Sequence, residues 1–315
     1  MNPDIHESPE VRENEPVKVP RRLNRQLQDI LHPIVLRRTM LWRVGMGVAV
    51  LLVAAVVAWA LLLKPPSGRT LLAQAVEAAG GMEPWKAIEH GTFTRVHTVY
   101  DESGAVVRTV NEKYAFRKGG KGDRLVIESS GAKGHALIGR DDKGYWATLN
   151  GETAEPEETA RELDMMCESD ECTPICGAEL AFYRFSMPFK LTDPGVIAAY
   201  GGKSTLAGQP VSLLNVSFEK GVGGDRWTLY VDDETKLVRK IDYYANATMT
   251  DMTPPQEIFW GDHRAQDGVT ISHRQTYYRS NGSKLEDYRI VNADFSTPIP
   301  DAVFNRPTTT VAVAQ

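Results

Sequence analysis

The hydrophobic period changes three times along the chain. In "PRRLNRQLQDILHPIVLRR", Leu23, Leu27, Ile30, Leu31 and Ile34 recur at helical spacing, with Pro20 suited to the first turn. Arg21, Arg22, Arg25, Arg37 and Arg38 occupy the rest of that pattern, so residues 20–39 read as a short basic amphipathic helix that Pro33 kinks or ends. The period then disappears. "VGMGVAVLLVAAVVAWALLL", Val44 to Leu63, holds twenty residues without a charge. A helix of that length spans roughly 30 Å, the thickness of a bilayer's hydrocarbon core. Trp42 and Trp59 stand near its ends as interfacial anchors do, and residues 42–64 are expected to be a transmembrane signal-anchor.

Beyond the spacer "PPSGR", Leu71, Leu72, Ala75, Val76 and Ala79 restore a helical stripe that Gly80-Gly81 stops. A short helix around Pro84–Ile88 carries Trp85. The period then becomes two. "GTFTRVHTVY", "VVRTVNEKYAFRK", "DRLVIES", "HALIGRD" and "GYWATLNG" read as strands between turns such as "DESG", "KGGKGD" and "DDKG". Two helices interrupt them, in "EPEETARELDMM" and "GAELAFYRFSMPF". Six further strand patterns follow, from "PVSLLNVSFEK" to "KLEDYRIVNADF". The fold class is α+β: an N-terminal transmembrane helix, then a curved antiparallel sheet of ten or eleven strands with helices against its concave face. The exported domain should cover 70–306, between a disordered tail at 1–19, rich in acids and proline, and another at 307–315.

Charge fixes the direction of the span. Lys18, Arg21, Arg22, Arg25, Arg37, Arg38 and Arg43 precede it, and only Lys64 and Arg69 follow closely. The positive-inside rule places the N-terminus in the cytoplasm, so the protein is expected in the inner membrane as a single-pass chain whose main domain is periplasmic or extracellular. The arm at 20–38 can lie on anionic lipid or dock a cytoplasmic partner. Gly45 and Ala49, and Ala54 and Ala58, form small-xxx-small pairs through which two spans could pack. Such pairs are common by chance in an Ala-rich span, and a homodimer is not the expectation. The net charge of −5 argues against a nucleic-acid partner.

All three cysteines fall in "CESDECTPIC". In an oxidising compartment this predicts one disulfide in the loop between the two middle helices, Cys167–Cys176 first and Cys167–Cys172 second. The spacing matches no common zinc or iron–sulfur signature.

"LLAQAVEAAGGMEPWKAIEHGTFT" and "MPFKLTDPGVIAAYGGKSTLAGQPVSLLNVSFEKGVGGDRWTLYVDDETKLVRKIDY" resemble exported bacterial proteins of the lipoprotein-carrier (LolA/LolB-like) fold superfamily. The resemblance runs from about Thr70 to Phe304 and rests on turns and sheet pattern. It implies an unclosed half-barrel that holds acyl chains or lipoproteins, or serves as a sensing domain. It transfers no individual binding residue. The spanning helix departs from the carrier pattern, because a tethered domain cannot shuttle freely.

No H-E-x-x-H, G-x-S-x-G or P-loop motif is present. Asp262-His263 and Asp141-Asp142 are the pairs closest to catalytic ones, and both fit exposed turns better; His263 and His273 could meet only by strand register. No metal or organic cofactor is expected. Trp146, Phe182, Phe185, Trp227 and Trp260 either line an apolar ligand cavity or fill an ordinary core. The expected function is non-catalytic: a membrane-tethered module that binds lipid or lipoprotein acyl chains. The alternative is a single-span envelope signalling protein of anti-sigma or sensor type, with 20–38 as its docking arm.

Overall fold

The computed structural model describes residues 46–55, 66–119, 122–131, 134–141, 143–162, 174–244, 255–279 and 281–307. Two compact units divide the chain, Met1–Lys64 and Pro65–Gln315. In the first, residues 46–55 form helix α1, whose Val50, Leu51 and Val53 are exposed. The remainder of the 44–63 span lies outside the described residues, as do Leu23, Leu27, Ile30, Leu31 and Ile34. Among the described residues no helix is long and apolar enough to cross a membrane.

The second unit opens with α2 (Gly68–Ala78). Its N-cap is Ser67, whose hydroxyl accepts from the Thr70 N–H at 3.1 Å, satisfying one donor of the first turn. Gly80 and Gly81, at φ 108° and 88°, turn the chain into α3 (Met82–Ala87). A meander follows: β1 (His90–Tyr100), β2 (Val106–Arg117), β3 (Arg124–Gly131), β4 (Gly134–Asp141), β5 (Gly144–Leu149) and β6 (Glu152–Ala154). Then come α4 (Pro156–Glu162), α5 (Pro174–Phe185) and the 3-10 turn η1 (Phe189–Thr192). The second meander is β7 (Val196–Leu206), β8 (Gln209–Phe218), β9 (Arg226–Asp232), β10 (Val238–Tyr244), β11 (Gln256–Gln266), β12 (Val269–Tyr278) and β13 (Lys284–Asp294), closed by the 3-10 turn η2 (Asp301–Phe304).

All thirteen strands form one antiparallel sheet in the order β6-β5-β4-β3-β2-β1-β13-β12-β11-β10-β9-β8-β7. Every neighbour is consecutive in sequence except β1 and β13, which join the two meanders at the centre, with His97 opposite Tyr288 and Val99 opposite Glu286. The order is linear and ends in β6 and β7, so the sheet is open. Laid flat, thirteen strands at about 4.8 Å spacing would be roughly 58 Å wide. The chain must return from one edge to the other between Ala154 and Val196, and that return is α4, α5 and η1.

One face of the sheet, here the inner face, carries the large core. Leu71, Leu72, Ala75 and Val76 of α2, Trp85 of α3, Phe182 and Phe185 of α5, and Phe189 of η1 pack there with inward residues of both meanders. Strand alternation supplies the inward set: Trp227, Leu229 and Val231 of β9 are 2%, 0% and 0% exposed. The outer face has a small core of its own, where Val126, Trp146 and Phe304 pack with Ala115, Leu137 and Ile299 under η2.

The turns follow local chemistry. Asn150-Gly151, Ala207-Gly208 and Asp267-Gly268 all have positive φ, as two-residue hairpin turns of primed type require. Asp232 Oδ1 accepts from the N–H groups of Glu234 and Thr235 at 3.0 and 2.8 Å, which shapes the "DDET" turn.

Candidate functional site

The inner face is built from two different surfaces. Toward α5 it is aromatic. Phe185 stacks on Phe93 at 4.0 Å and meets Phe295 edge-on at 6.0 Å. Phe182 lies 4.9 Å from Phe116, and Tyr183 of the same helix lies 6.1 Å from Trp227. Trp227 in turn packs on Tyr243 at 4.7 Å. Because α5 belongs to the return between sheet edges, its side chains reach strands of both meanders: Phe93 and Phe116 from the first, Trp227 from the second.

The second surface is ionic, at the central seam. Arg95 and His97 point inward in phase with Phe93, and Glu112 in phase with Tyr114. Arg95 Nε donates to Glu112 Oε2 at 2.6 Å, and the Tyr114 hydroxyl donates to the same oxygen at 2.9 Å. Across the seam, Glu286 accepts from the Tyr288 hydroxyl at 2.6 Å and lies 3.4 Å from His97 Nε2. The Arg95 guanidinium sits over the Tyr288 ring at 4.4 Å, joining the two halves.

Burial pushes the Glu112 carboxyl up, but Arg95, His97 and the Tyr114 hydroxyl outweigh it and hold the group below the ordinary carboxylate range. Glu286 is likewise held down against burial, by His97, the Tyr288 hydroxyl and Arg95. Burial pushes the Tyr114 hydroxyl well up. Next to this cluster Arg184 of α5 donates to the Tyr277 hydroxyl and lies among Trp227, Tyr243 and Tyr277. The inner face therefore offers an apolar aromatic wall beside a polar, internally paired seam.

Of the five aromatics singled out in the sequence, the fold brings four to this face. Phe182, Phe185, Trp227 and Trp260 belong to the inner core, each 2–5% exposed. Trp146 does not join them. It alternates with the inward Ala147 and lies on the outer face, where it lines a separate cleft of about 560 Å³ between η2 and the first meander. Gly139 on β4 explains its seat: a Cβ there would lie 2.2 Å from the Trp146 ring. Gly139→Ala should lose about 1–3 kcal/mol through this overpacking, read as a lower midpoint in chemical denaturation. A variant as stable as the parent would show that the ring can move aside at no cost.

The cysteine expectation is corrected in one boundary. Helix α5 begins at Pro174, not near Gly177, so Cys176 stands inside its first turn and not at the foot of a loop. Proline at the first helical position, with its fixed φ and no N–H to satisfy, accounts for the earlier start. Cys167 and Cys172 lie outside the described residues.

The other chemical candidates resolve into structure. Asp262, at φ 52°, accepts from Arg264 at 2.6 and 2.8 Å. Register places His263 opposite Ser272, and His273 uses its Nδ1 on the Ile290 carbonyl at 2.9 Å. Asp141 accepts from the Lys143 N–H at 2.8 Å in its turn, and Asp142 lies outside the described residues. Among the described residues no group of three or more His, Cys, Asp or Glu could hold a metal.

The ionic seam was not anticipated, although its signal is in the sequence: Arg95, His97, Glu112 and Glu286 each fall in phase with a large apolar or aromatic neighbour two residues away.

Comparison with known proteins fits this geometry. A family of unknown function, DUF6503, matches residues 155–257, which run from α4 into β11. No curated protein matches the sequence. Among solved structures, a LolA superfamily protein from Nitrosomonas europaea superposes with a TM-score of 0.51 at 9% identity, over 77% of this chain and 99% of that one. A DUF1329 family protein from Desulfovibrio piger gives a TM-score of 0.49 at 13% identity, over 75% and 96%. At 9% identity the likeness to the first of these concerns the fold alone. The chain carries the fold of the LolA superfamily.

Proposed function

We propose that this protein is a membrane-tethered, non-catalytic binding module for the acyl chains of a lipid or lipoprotein, with residues 44–63 as the span and the sheet domain on the exported side. The aromatic inner face carries the reading: an open LolA-type sheet whose inner wall is Phe93, Phe116, Phe182, Phe185 and Trp227, covered by a helix that belongs to the edge-to-edge return. Aromatic and aliphatic walls suit a chain with no hydrogen bonds to offer. The basic arm at 20–38, longer than an anchor needs, favours a second reading, in which the sheet domain senses and the arm docks a cytoplasmic partner.

The test uses the full chain in lipid nanodiscs containing a phospholipid with a photoreactive acyl chain. Crosslinked peptides should include those carrying Phe182 and Phe185, or Trp227, or Trp260. Labelling confined to residues 44–63 would overturn the acyl-binding reading and leave only the tether.

A further inference from the structure

At one rim of the sheet five segments converge: α3 with its link to β1, the end of β2, the start of β3, η1, and the chain after β13. They enclose a cleft of about 850 Å³. Its apolar wall is Trp85, which is buried and stacked on Phe189 at 4.8 Å. Charge is concentrated around it: Lys86, Arg117, Lys118 and Lys190 face Glu89, Asp123 and Asp193, with His90 beside them.

Three of these four cations are already engaged. Lys86 pairs with Glu83 at 3.1 Å. Arg117 donates to Asp301 and to the Ile299 carbonyl, which ties η2 to the sheet. Lys190 is held by Asp123 at 2.9 Å and Asp193 at 3.1 Å. Lys118 differs. Its ammonium donates to the Trp85 carbonyl and sits 4.3 Å from the centre of the Trp85 indole, and among the described residues no carboxylate stands at ion-pairing distance from it. An ammonium has three N–H donors, so one neutral acceptor and a ring face leave it short of partners in a half-buried position.

We propose that Lys118 anchors an oxyanion site in this cleft, which takes a ligand bearing a phosphate or carboxylate group whose oxygens complete the hydrogen bonds of the ammonium. The neighbours favour this over a purely structural lysine. Asp123, just before β3, is paired with Lys190 at 2.9 Å, so Lys190 is neutralised while Lys118 has no ion pair among the described residues. The electrostatics agree. Burial, opposed by Asp123 and Glu89 and assisted by Lys190, lowers the Lys118 ammonium to about 8. A bound oxyanion favours the charged form, so binding must raise that value, and anion affinity must fall about tenfold per pH unit above it.

The same chemistry can come from free phosphate or from a lipid headgroup, and two arms separate them. The full chain, with 13Cε-labelled lysines, is placed in phosphatidylcholine nanodiscs. The Lys118 resonance is assigned by its loss in Lys118→Arg and titrated from pH 6.5 to 10, with and without inorganic phosphate at constant ionic strength. The second arm replaces phosphate by discs containing phosphatidylglycerol. The expected result is a Lys118 midpoint near 8 that rises by at least half a unit with phosphate, with phosphatidylglycerol, or with both; a rise only in the second arm identifies a headgroup. Lys118→Arg should keep phosphate binding at pH 9.5, where the parent has lost it, and Lys118→Gln should lose it at every pH. A Lys118 midpoint that neither anion moves, or a shift common to all lysines, would overturn the site. The acyl-binding reading is tested by crosslinks at the inner face and can fail or stand independently.

Discussion

A Phe185→Ala protein should unfold at much lower urea than the parent, with about 3–5 kcal/mol of stability lost. The residue is 5% exposed and occupies the point where α5 meets the centre of the sheet. Its ring stacks on Phe93 at 4.0 Å, and Phe93 is itself stacked on Tyr114 at 4.7 Å, so one truncation removes the end of a three-ring stack and opens a void beside the other two. Phe116 and Phe295 border the same ring at 6.2 and 6.0 Å and cannot collapse into the gap without moving their own backbone. Phe185→Leu should fall between the two. The loss should also show in the denaturant slope: if α5 detaches before the sheet melts, the slope falls while the midpoint drops. A Phe185→Ala protein within 1 kcal/mol of the parent would mean that α5 contributes little to holding the inner core, and that the helix is a loose cover.

That expectation draws on features the sequence shows unequally well. Eleven strands are visible as period-two runs because each has one buried face, as Trp227, Leu229 and Val231 show. The two that escape are the sheet edges. β6 is only three residues long. In β7, Gly201-Gly202 interrupts the side-chain run and marks an irregularity in its pairing with β8, with Gly202 at φ 103°. Its burial alternates only between half-buried and exposed, so no apolar period identifies it. Tertiary placement is the other limit. Trp146 looks equivalent to Trp227 in composition, yet alternation along β5 sends it to the opposite face, and only the strand's direction within the sheet decides that. The cleft around Lys118 is assembled from five segments spread between Met82 and Ile299, a distance in sequence that no local pattern bridges. The ionic seam lies between these cases: the phase of Arg95 and Glu112 is local, but their pairing depends on register.

The seam is the site of the second large effect. Arg95→Met should destabilise the domain by about 3–5 kcal/mol at pH 7, because it leaves the Glu112 carboxylate, 1% exposed, without its cation. The methionine itself fits: it is long, unbranched and apolar, and Tyr114 and Tyr288 already form a slot for the arginine side chain. The cost is therefore that of an unpaired charge and not of lost volume, and two measurements separate these. In the double variant Arg95→Met with Glu112→Leu most of the loss should return, since removing both charges of a buried pair is far cheaper than removing one. The pH dependence should also invert. In the parent the Glu112 carboxyl is held below its unfolded value, so its contribution is present above the ordinary carboxylate range near 4.3 and is lost as pH falls through the lower folded value. Without Arg95, burial dominates and drives that carboxyl up, so the variant gains stability relative to the parent as pH falls from 7 toward 5, where the group takes up a proton. Urea midpoints of parent and Arg95→Met should thus converge on acidification. A gap that stays constant between pH 7 and 5, with no recovery in the double variant, would show that Arg95 acts through packing alone and that the seam is not an electrostatic unit.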